Sequence, residues 1–533
     1  MPDMLIFGSQ SYYIQSEPLR ANTKTKTQYP MFPLVYEINT RIWLQKLSIE
    51  HNRAVTLGNI PDEEFAFFSS CGFDIVWLMG VWKPSQYSKA IATAHSGLRG
   101  SFLQHLTTVT PEDIVSSPYS IPSYTVNETL GGETELLTFR DKLHACGIKL
   151  MLDFVPNHLA LDNAFLPEHL EYFIPMCHEE QCLDPGAGFE YMKGTYLAYG
   201  KDPYFEPWTD TLQLNYARKE TRKMMTENLF KISSLCDAVR CDVAMLVLKS
   251  VFNTTWGAFS GVMEEEFWCN AITAVKLRHP DFLFLAESYW NKEWELQQQG
   301  FDFTYDKPFY DYLCTASGNI EKLTGHLLGN WDYQKHLCRF IENHDEPRAA
   351  EKIGLNNKAA ALVLLTSPGM HLVHQDQMDG FKKQIPVQLL RQANEASDGN
   401  LIEFYKHLFL LQEREVFQEG RIEWLDLNAP YKTHCLGFHR FTAKENAYVL
   451  ANFSGNGIPL EFSHPSLEDG ALKKLTIFST QNNTKTIVHY AEKVMRVNLA
   501  PHEAIVINCL TTAAAAYQHE TTLSRIEPVQ EQF

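Results

Sequence analysis

At 533 residues, with 45% apolar and 12% aromatic side chains, the chain is too long for one simple core and is expected to form two or three domains. Its 64 acidic against 46 basic residues give a formal net charge of −18 without any long Lys/Arg run, a field that repels a nucleic-acid backbone and an anionic membrane surface. No stretch approaches the roughly 18 apolar residues of a membrane span, and a neutral polysaccharide is indifferent to the charge.

Residues 1–32 are polar and read as an extension that wraps a larger body or is partly disordered. The first ten residues lack the basic and long apolar regions of a signal peptide, and the 11 scattered cysteines suit a reducing compartment. The expectation is a cytoplasmic protein as made, with export by a signal-peptide-independent route left open. Leu34–Asn39 is the first strand candidate. A helix capped at Pro61-Asp62 runs to Cys71, and Asp74–Gly80 is a second buried strand, a rhythm that predicts parallel pairing. A long loop spans 81–132, then a helix over 133–146 leads to a third strand over 149–157. A loop-rich insertion with Pro, Gly and aromatics fills 159–214. Helices over 216–235, 264–279 and 356–366 alternate with strands at 238–244, 282–288, 301–305, 337–343 and 370–374, eight strand candidates in all.

This pattern predicts a (β/α)8 barrel over 33–412. Beyond it, short alternating segments such as Cys435–Phe441, Ala447–Phe453 and Val494–Leu499 read as an antiparallel β-sandwich over 413–510. Residues 511–533 read as a flexible tail, and its end, Glu520–Phe533, is similar to C-terminal export signals of bacterial effectors, an origin that a frayed terminus explains equally.

Four strand candidates stop abruptly in polar residues: Leu-Met-Leu-Asp-Phe-Val-Pro-Asn-His at 150–158, Ala-Val-Arg-Cys-Asp at 238–242, Phe-Leu-Phe-Leu-Ala-Glu at 282–287, and Phe-Ile-Glu-Asn-His-Asp-Glu-Pro-Arg at 340–348. Each carries one acid at or near its end: Asp153, Asp242, Glu287 and Asp345. On one barrel they would converge at the C-terminal face of the strands, where such folds place their sites.

In that order, these stretches resemble the four short regions of the α-amylase family of retaining glycoside hydrolases, glycoside hydrolase family 13. The resemblance covers about residues 33–510, on motifs totalling some thirty residues. It implies Asp242 as nucleophile, Glu287 as acid/base and Asp345 as the third acid, which holds the distorted sugar. Arg240 would keep the nucleophile ionised, with Asp153 as structural support fixing Arg240 and Asn343 standing behind the site. His158 and His344 would donate to sugar hydroxyls. Tyr119, in the loop after the second strand, matches a residue that stacks on the sugar, closing of the loop being the plain alternative. The insertion corresponds to the family's domain B. Trp290, Tyr305 and Trp268 are candidate sugar platforms or core residues, and Glu346 and Arg348 either line the cleft or pair with each other.

The resemblance implies an α-glucan polysaccharide or oligosaccharide as partner and no required cofactor. Many members continue the nucleophile strand with Lys-His, whose histidine carbonyl holds a calcium. Met245 and Leu246 stand here instead, so calcium is in doubt even though Asn157 matches a metal ligand. The expected function is hydrolysis of α-1,4-glucosidic bonds in glycogen, starch or maltooligosaccharides. Transglycosylation through the same site is the first alternative, and a catalytically inactive glucan-binding relative is the second.

Overall fold

The computed structural model describes residues 3–7, 10–14, 30–177, 184, 186–427, 433–467, 472–481, 488–491 and 494–511. The tail beyond 511, with its export reading, lies outside the described residues. At the N-terminus β1 (Asp3–Phe7) and β2 (Gln10–Ile14) pair as an antiparallel hairpin, regular structure where the polar sequence suggested an extension.

Eight parallel strands close a barrel: β3 (Leu34–Asn39), β4 (Ile75–Met79), β5 (Lys149–Phe154), β11 (Ala238–Cys241), β12 (Leu283–Ala286), β13 (Phe303–Tyr305), β14 (Leu337–Arg339) and β15 (Met370–His374). All eight fall on the strand candidates, and several end earlier than the apolar runs suggested. The first site acid on β11 lies beyond its last paired residue because Val243 takes a left-handed backbone (φ 36°), a conformation strained for a β-branched residue, and breaks the ladder. Alternation does the rest. Val239 and Cys241 of β11 pack outward against the helices, while Ala238 joins Val35, Trp77, Met151, Leu285 and Leu372 in the barrel interior. Arg240 shares this inward phase and lies in register between Asp153 of β5 and Leu285 of β12.

The insertion between β5 and β11 carries an antiparallel sheet rather than loops alone: β6 (His158–Ala160), β7 (Pro175–Met176), β8 (Gly188–Met192), β9 (Thr195–Gly200) and β10 (Trp208–Gln213), ordered β6-β10-β9-β7 with β8 on β9. The stretch 81–132, read as loop, holds helices Gln86–Ala94 and Ser96–His105. The former buries only Ser88 and Ala92, too sparse an apolar face to register as helical periodicity.

After helix Gly399–Gln412 the chain forms two antiparallel sheets. One is ordered β16-β17-β18-β23-β20 and comprises β16 (Arg421–Trp424), β17 (Cys435–Phe441), β18 (Glu445–Asn452), β20 (Leu472–Ser479) and β23 (Ala504–Thr511). The other, β19-β22-β21, comprises β19 (Ile458–Ser463), β21 (Val488–Ala491) and β22 (Val494–Leu499). Leu450, Leu460, Val497 and Ile507 fill the space between the sheets. The opposite face of the larger sheet, with Phe438, Val449 and Val506, shares the main core with barrel helix Asn357–Thr366. That helix buries every one of its apolar residues, as a helix covered on all sides must. Arg440 ties the two bodies together: fully buried, it donates to the carbonyls of Thr366 in the barrel helix and of Gly420 (2.8 Å), and burial without a carboxylate partner pushes its pKa down to about 9. Among the described residues no helix is long and apolar enough to cross a membrane.

Candidate active site

Arg240 is the centre of the site. Its guanidinium is bracketed by the rings of Tyr119 (5.2 Å), Trp77 (5.4 Å) and Tyr305 (5.6 Å), which fix its plane through cation–π contact. Its terminal nitrogens then reach Asp242 Oδ1 at 2.6 Å and Glu287 Oε2 at 2.8 Å, with Asp345 Oδ2 at 4.0 Å. The strand ends of β11 and β12 and the segment after β14 therefore bring Asp242, Glu287 and Asp345 to one cation. Replacing Arg240 by Met would leave buried carboxylates without a counter-charge. The variant is expected to lose about 3–5 kcal/mol of stability, read as a lower thermal midpoint at neutral pH, and an unchanged midpoint would contradict this account.

The three acids sit in different surroundings. Glu287 is nearly fully buried. Its Oε2 accepts the Val243 N–H at 2.5 Å, a donor that the left-handed backbone at Val243 aims inward, and its Oε1 accepts the Tyr289 hydroxyl at 2.9 Å. Burial is the largest influence on it and, with the charges of Asp242 and Asp345, outweighs Arg240 and pushes its pKa up to about 7. Burial raises Asp242 as well, to about 6, held back by the charge and hydrogen bond of Arg240. As pH falls, the shared proton goes first to Glu287. The Asp345 side chain is 44% exposed, the most open of the three. Burial acts to raise its pKa, but the adjoining His344 offsets this and holds it below the ordinary carboxylate range.

His344 lies between two acids. Nδ1 bonds Glu37 of β3, and Nε2 lies 3.0 Å from Asp345 Oδ2 and 2.7 Å from the Tyr119 hydroxyl. Burial would lower its pKa, yet Asp345 and Glu37 raise it well above the usual value, so the ring is an imidazolium at neutral pH. Both ring nitrogens are engaged within the protein. His158, buried against Trp208 (ring centroids 5.1 Å apart), is instead lowered to about 4 by burial and stays neutral. Tyr119 is half-buried and stacks on His344 at 5.3 Å.

Asp153 is placed differently from the sequence reading. Its hydrogen bonds come from Trp77 Nε1 and the Gly80 N–H, both at 3.0 Å, so it bears on Arg240 through charge and through Trp77. Gly80 has φ 81°, the left-handed conformation glycine adopts freely, and this turns its N–H toward that carboxylate. Asn343 accepts the backbone N–H groups of Asp345 and Glu346, each at 2.9 Å, and so sets the turn that presents Asp345. Glu346 and Arg348 do not pair with each other: Glu346 meets Lys307 at 3.2 Å and Arg348 meets Glu342 at 2.7 Å. Trp268 and Tyr305 are fully buried core residues. Trp290, on two consecutive left-handed residues with Asn291, stays partly exposed and meets the exposed Tyr204 of the insertion edge-on at 4.8 Å.

The calcium suggestion at Asn157 does not fit its surroundings. The Asn157 amide is paired with Gln213 in both directions, at 3.0 and 3.2 Å. The nearby acids Asp184 and Asp202 cap turns of their own. Among the described residues no cluster of acids forms there. Met245 and Leu246 are buried in the turn after Asp242.

Sequence reasoning did not single out Glu37 or Tyr289. The only trace of Glu37 was an acid in the middle of an apolar strand, and Tyr289 had only its place two residues past Glu287.

A parallel barrel whose strand ends gather three carboxyls around one arginine, with an inserted sheet above and a β-sandwich behind, is the architecture of a glycoside hydrolase of the alpha-amylase class. Residues 66–408 match the alpha amylase catalytic domain, and the chain belongs to that family, whose members are generally glycoside hydrolases. Its fold is similar to a noncanonic maltogenic alpha-amylase from Thermotoga neapolitana, 16% identical over 90% of this chain and 99% of that one, with a TM-score of 0.66. It is also similar to an alpha-amylase from Geobacillus thermoleovorans complexed with acarbose, 17% identical over 91% and 99%, with a TM-score of 0.63. A debranching enzyme from Nostoc punctiforme is 16% identical over 91% and 100%, with a TM-score of 0.63. No curated protein matches by sequence.

Proposed function

We propose that the protein is a retaining hydrolase of α-1,4-glucosidic bonds in glycogen, starch or maltooligosaccharides. The observation that carries this reading is the pair Asp242 and Glu287, held on one guanidinium with Glu287 raised to about 7. Two carboxyls on one cation and unequal in proton affinity can divide the roles of nucleophile and acid/base, and the family resemblance supports retention, in which the first attacks the sugar itself. In the first step Glu287 gives its proton to the glycosidic oxygen while Asp242 attacks the anomeric carbon. The C–O bond to the leaving sugar breaks and a glycosyl ester on Asp242 forms. In the second step Glu287, now a carboxylate, takes a proton from water as the water oxygen attacks the same carbon and Asp242 leaves. Arg240 keeps Asp242 ionised, and Asp345, open to the cleft, is placed to accept hydrogen bonds from hydroxyls of the distorted ring. The proposed chemistry uses side chains alone and no cofactor.

The choice of an α-glucan rests on the family and on the acarbose bound by the Geobacillus relative. Exposed Tyr204 and Phe205, with the partly exposed Trp290, add aromatic faces suited to pyranose C–H surfaces. Trp290→Ala is expected to raise KM for glycogen several-fold with a smaller change in kcat, as loss of binding shared by ground and transition states does. A fall confined to kcat would sink the platform role.

The Tyr204–Trp290 pair, whose tryptophan stands three residues past the proposed acid/base, also favours a second reading. A sugar stacked there could accept the glycosyl group in place of water, making the enzyme an α-glucan transferase. Purified protein on glycogen distinguishes the two: hydrolysis raises reducing ends, transfer redistributes chain lengths at a constant number of reducing ends, and no change in either defeats both.

A further inference from the structure

We infer that the C-terminal sandwich carries a transition-metal site of the zinc class, built by Glu423, His439 and His464 and independent of the glucan site. The three residues come from both sheets. Glu423 of β16 and His439 of β17 are directly opposite in the antiparallel ladder of the larger sheet. His464 follows the last residue of β19 in the smaller one. One ligand atom from each converges, all within 4.8 Å of one another. Glu423 Oε2 lies 3.6 Å from His439 Nδ1 and 3.3 Å from His464 Nε2. Bonds of about 2.1 Å in a tetrahedral zinc site place neighbouring ligand atoms roughly 3.4 Å apart, so two of the three edges are already at that span.

The hydrogen bonds around His439 orient its ring for a cation. His439 Nε2 lies 2.7 Å from Asn446 Oδ1, an oxygen that can only accept, so Nε2 carries a hydrogen and Nδ1 is the nitrogen that faces the Glu423 carboxylate. His439 is 2% exposed, and its Nδ1 is a buried atom with no hydrogen-bond partner among the described residues. A nitrogen and a carboxylate oxygen 3.6 Å apart with no hydrogen bond between them leave the span that an ion bonded to both would fill. Rings of Tyr448 (4.9 Å) and Phe441 (5.1 Å) stack on His439 and hold it in place. His464 meets Ser466 through Nδ1, at 2.6 Å from Oγ and 3.2 Å from the backbone N–H. The Ser466 N–H donates to Nδ1, so ligation through Nε2 takes the other tautomer, in which Nδ1–H is given to the Ser466 hydroxyl, itself bonded to Tyr448 at 2.5 Å. An outer partner such as Asn446 on His439 is what zinc sites use to fix ring orientation. Two imidazoles and one carboxylate suit zinc or its neighbours rather than calcium or magnesium. The half-exposed Glu423 leaves the fourth position to water. A bound ion would join the two sheets, since Glu423 and His439 belong to one and His464 follows the last strand residue of the other.

The test uses the full-length protein after dialysis against a chelator. Titration with Zn2+ is expected to show one equivalent bound with a rise in thermal midpoint, and Co2+ to give visible d–d absorption of a tetrahedral site. Glu423→Gln and His464→Gln, at partly exposed positions, should each remove that equivalent and the midpoint rise while leaving glucan cleavage and the circular dichroism spectrum unchanged. Failure to bind Zn2+, or binding that persists in both variants and so belongs to surface thiols such as Cys146 and Cys269, overturns the proposal.

Discussion

Asp242→Asn is expected to cut glucan cleavage by roughly 10⁴-fold or more while the protein remains folded. The amide has the size of the carboxylate and can still accept the Arg240 hydrogen bond through its oxygen. It cannot form the glycosyl ester, so no first step occurs, and Arg240 has no developing or departing negative charge to meet. Stability moves the other way. A buried carboxylate raised to about 6 is costly to keep ionised at neutral pH, and replacing it by a neutral group relieves the crowding of acids around one cation. Reducing-sugar release on glycogen and a thermal melt check both halves: activity within tenfold of wild type would remove Asp242 from the nucleophile role.

Glu287→Gln should produce a different signature. General acid–base assistance contributes about 10²–10⁴-fold, so cleavage of glycogen should fall by that amount. A substrate such as α-maltosyl fluoride, whose leaving group needs no proton, should suffer far less in its first step. The pH profile carries a further mark. In the wild type the rate falls below about 6 as Asp242 takes a proton and above about 7 as Glu287 loses one, which makes a narrow bell. The Gln variant should keep the acid limb and lose the alkaline one. Stability provides a second reading. The folded protein keeps a proton on Glu287 that an unfolded chain, with the ordinary value of 4.5, releases, so stability falls as pH rises from 4.5 to about 7. The variant should therefore gain on wild type at pH 8 and not at pH 4, by on the order of 3 kcal/mol at most. An alkaline limb that survives in the variant would assign it to another group.

The barrel was legible because buried parallel strands are continuous apolar runs, and each of the four site strands announces its end by an abrupt polar residue. That is how Asp242, Glu287 and Asp345 could be read as neighbours although they are far apart in the chain. What local pattern could not carry is pairing. The insertion hid its sheet because its strands run from two to six residues and mix exposed with buried positions. Asp153 looked like a partner of Arg240, which it faces in register, but its oxygens are taken by Trp77 and Gly80 on the neighbouring strand. Glu37 became part of the site only through its bond to His344, 307 positions away. Three aromatic rings from β4, the following loop and β13 form the cage around Arg240, a relation no spacing within one strand can reveal.

Helix Asn357–Thr366 and Arg440 have a consequence for how the protein is made. The helix is apolar from Ala359 to Leu365, and it packs on the larger sheet of the sandwich, whose arginine grips the carbonyl of Thr366 from 74 positions later. A ribosome adding roughly 5–20 residues per second needs about 4–15 s to reach Arg440 after the helix itself has been synthesised, and longer to reach β23, which also packs on it. The nascent barrel is complete in sequence by then and still displays an oily seam. Apolar surface exposed during synthesis is the kind that aggregates and that chaperones shield, and a chain truncated before β17 is expected to keep it exposed.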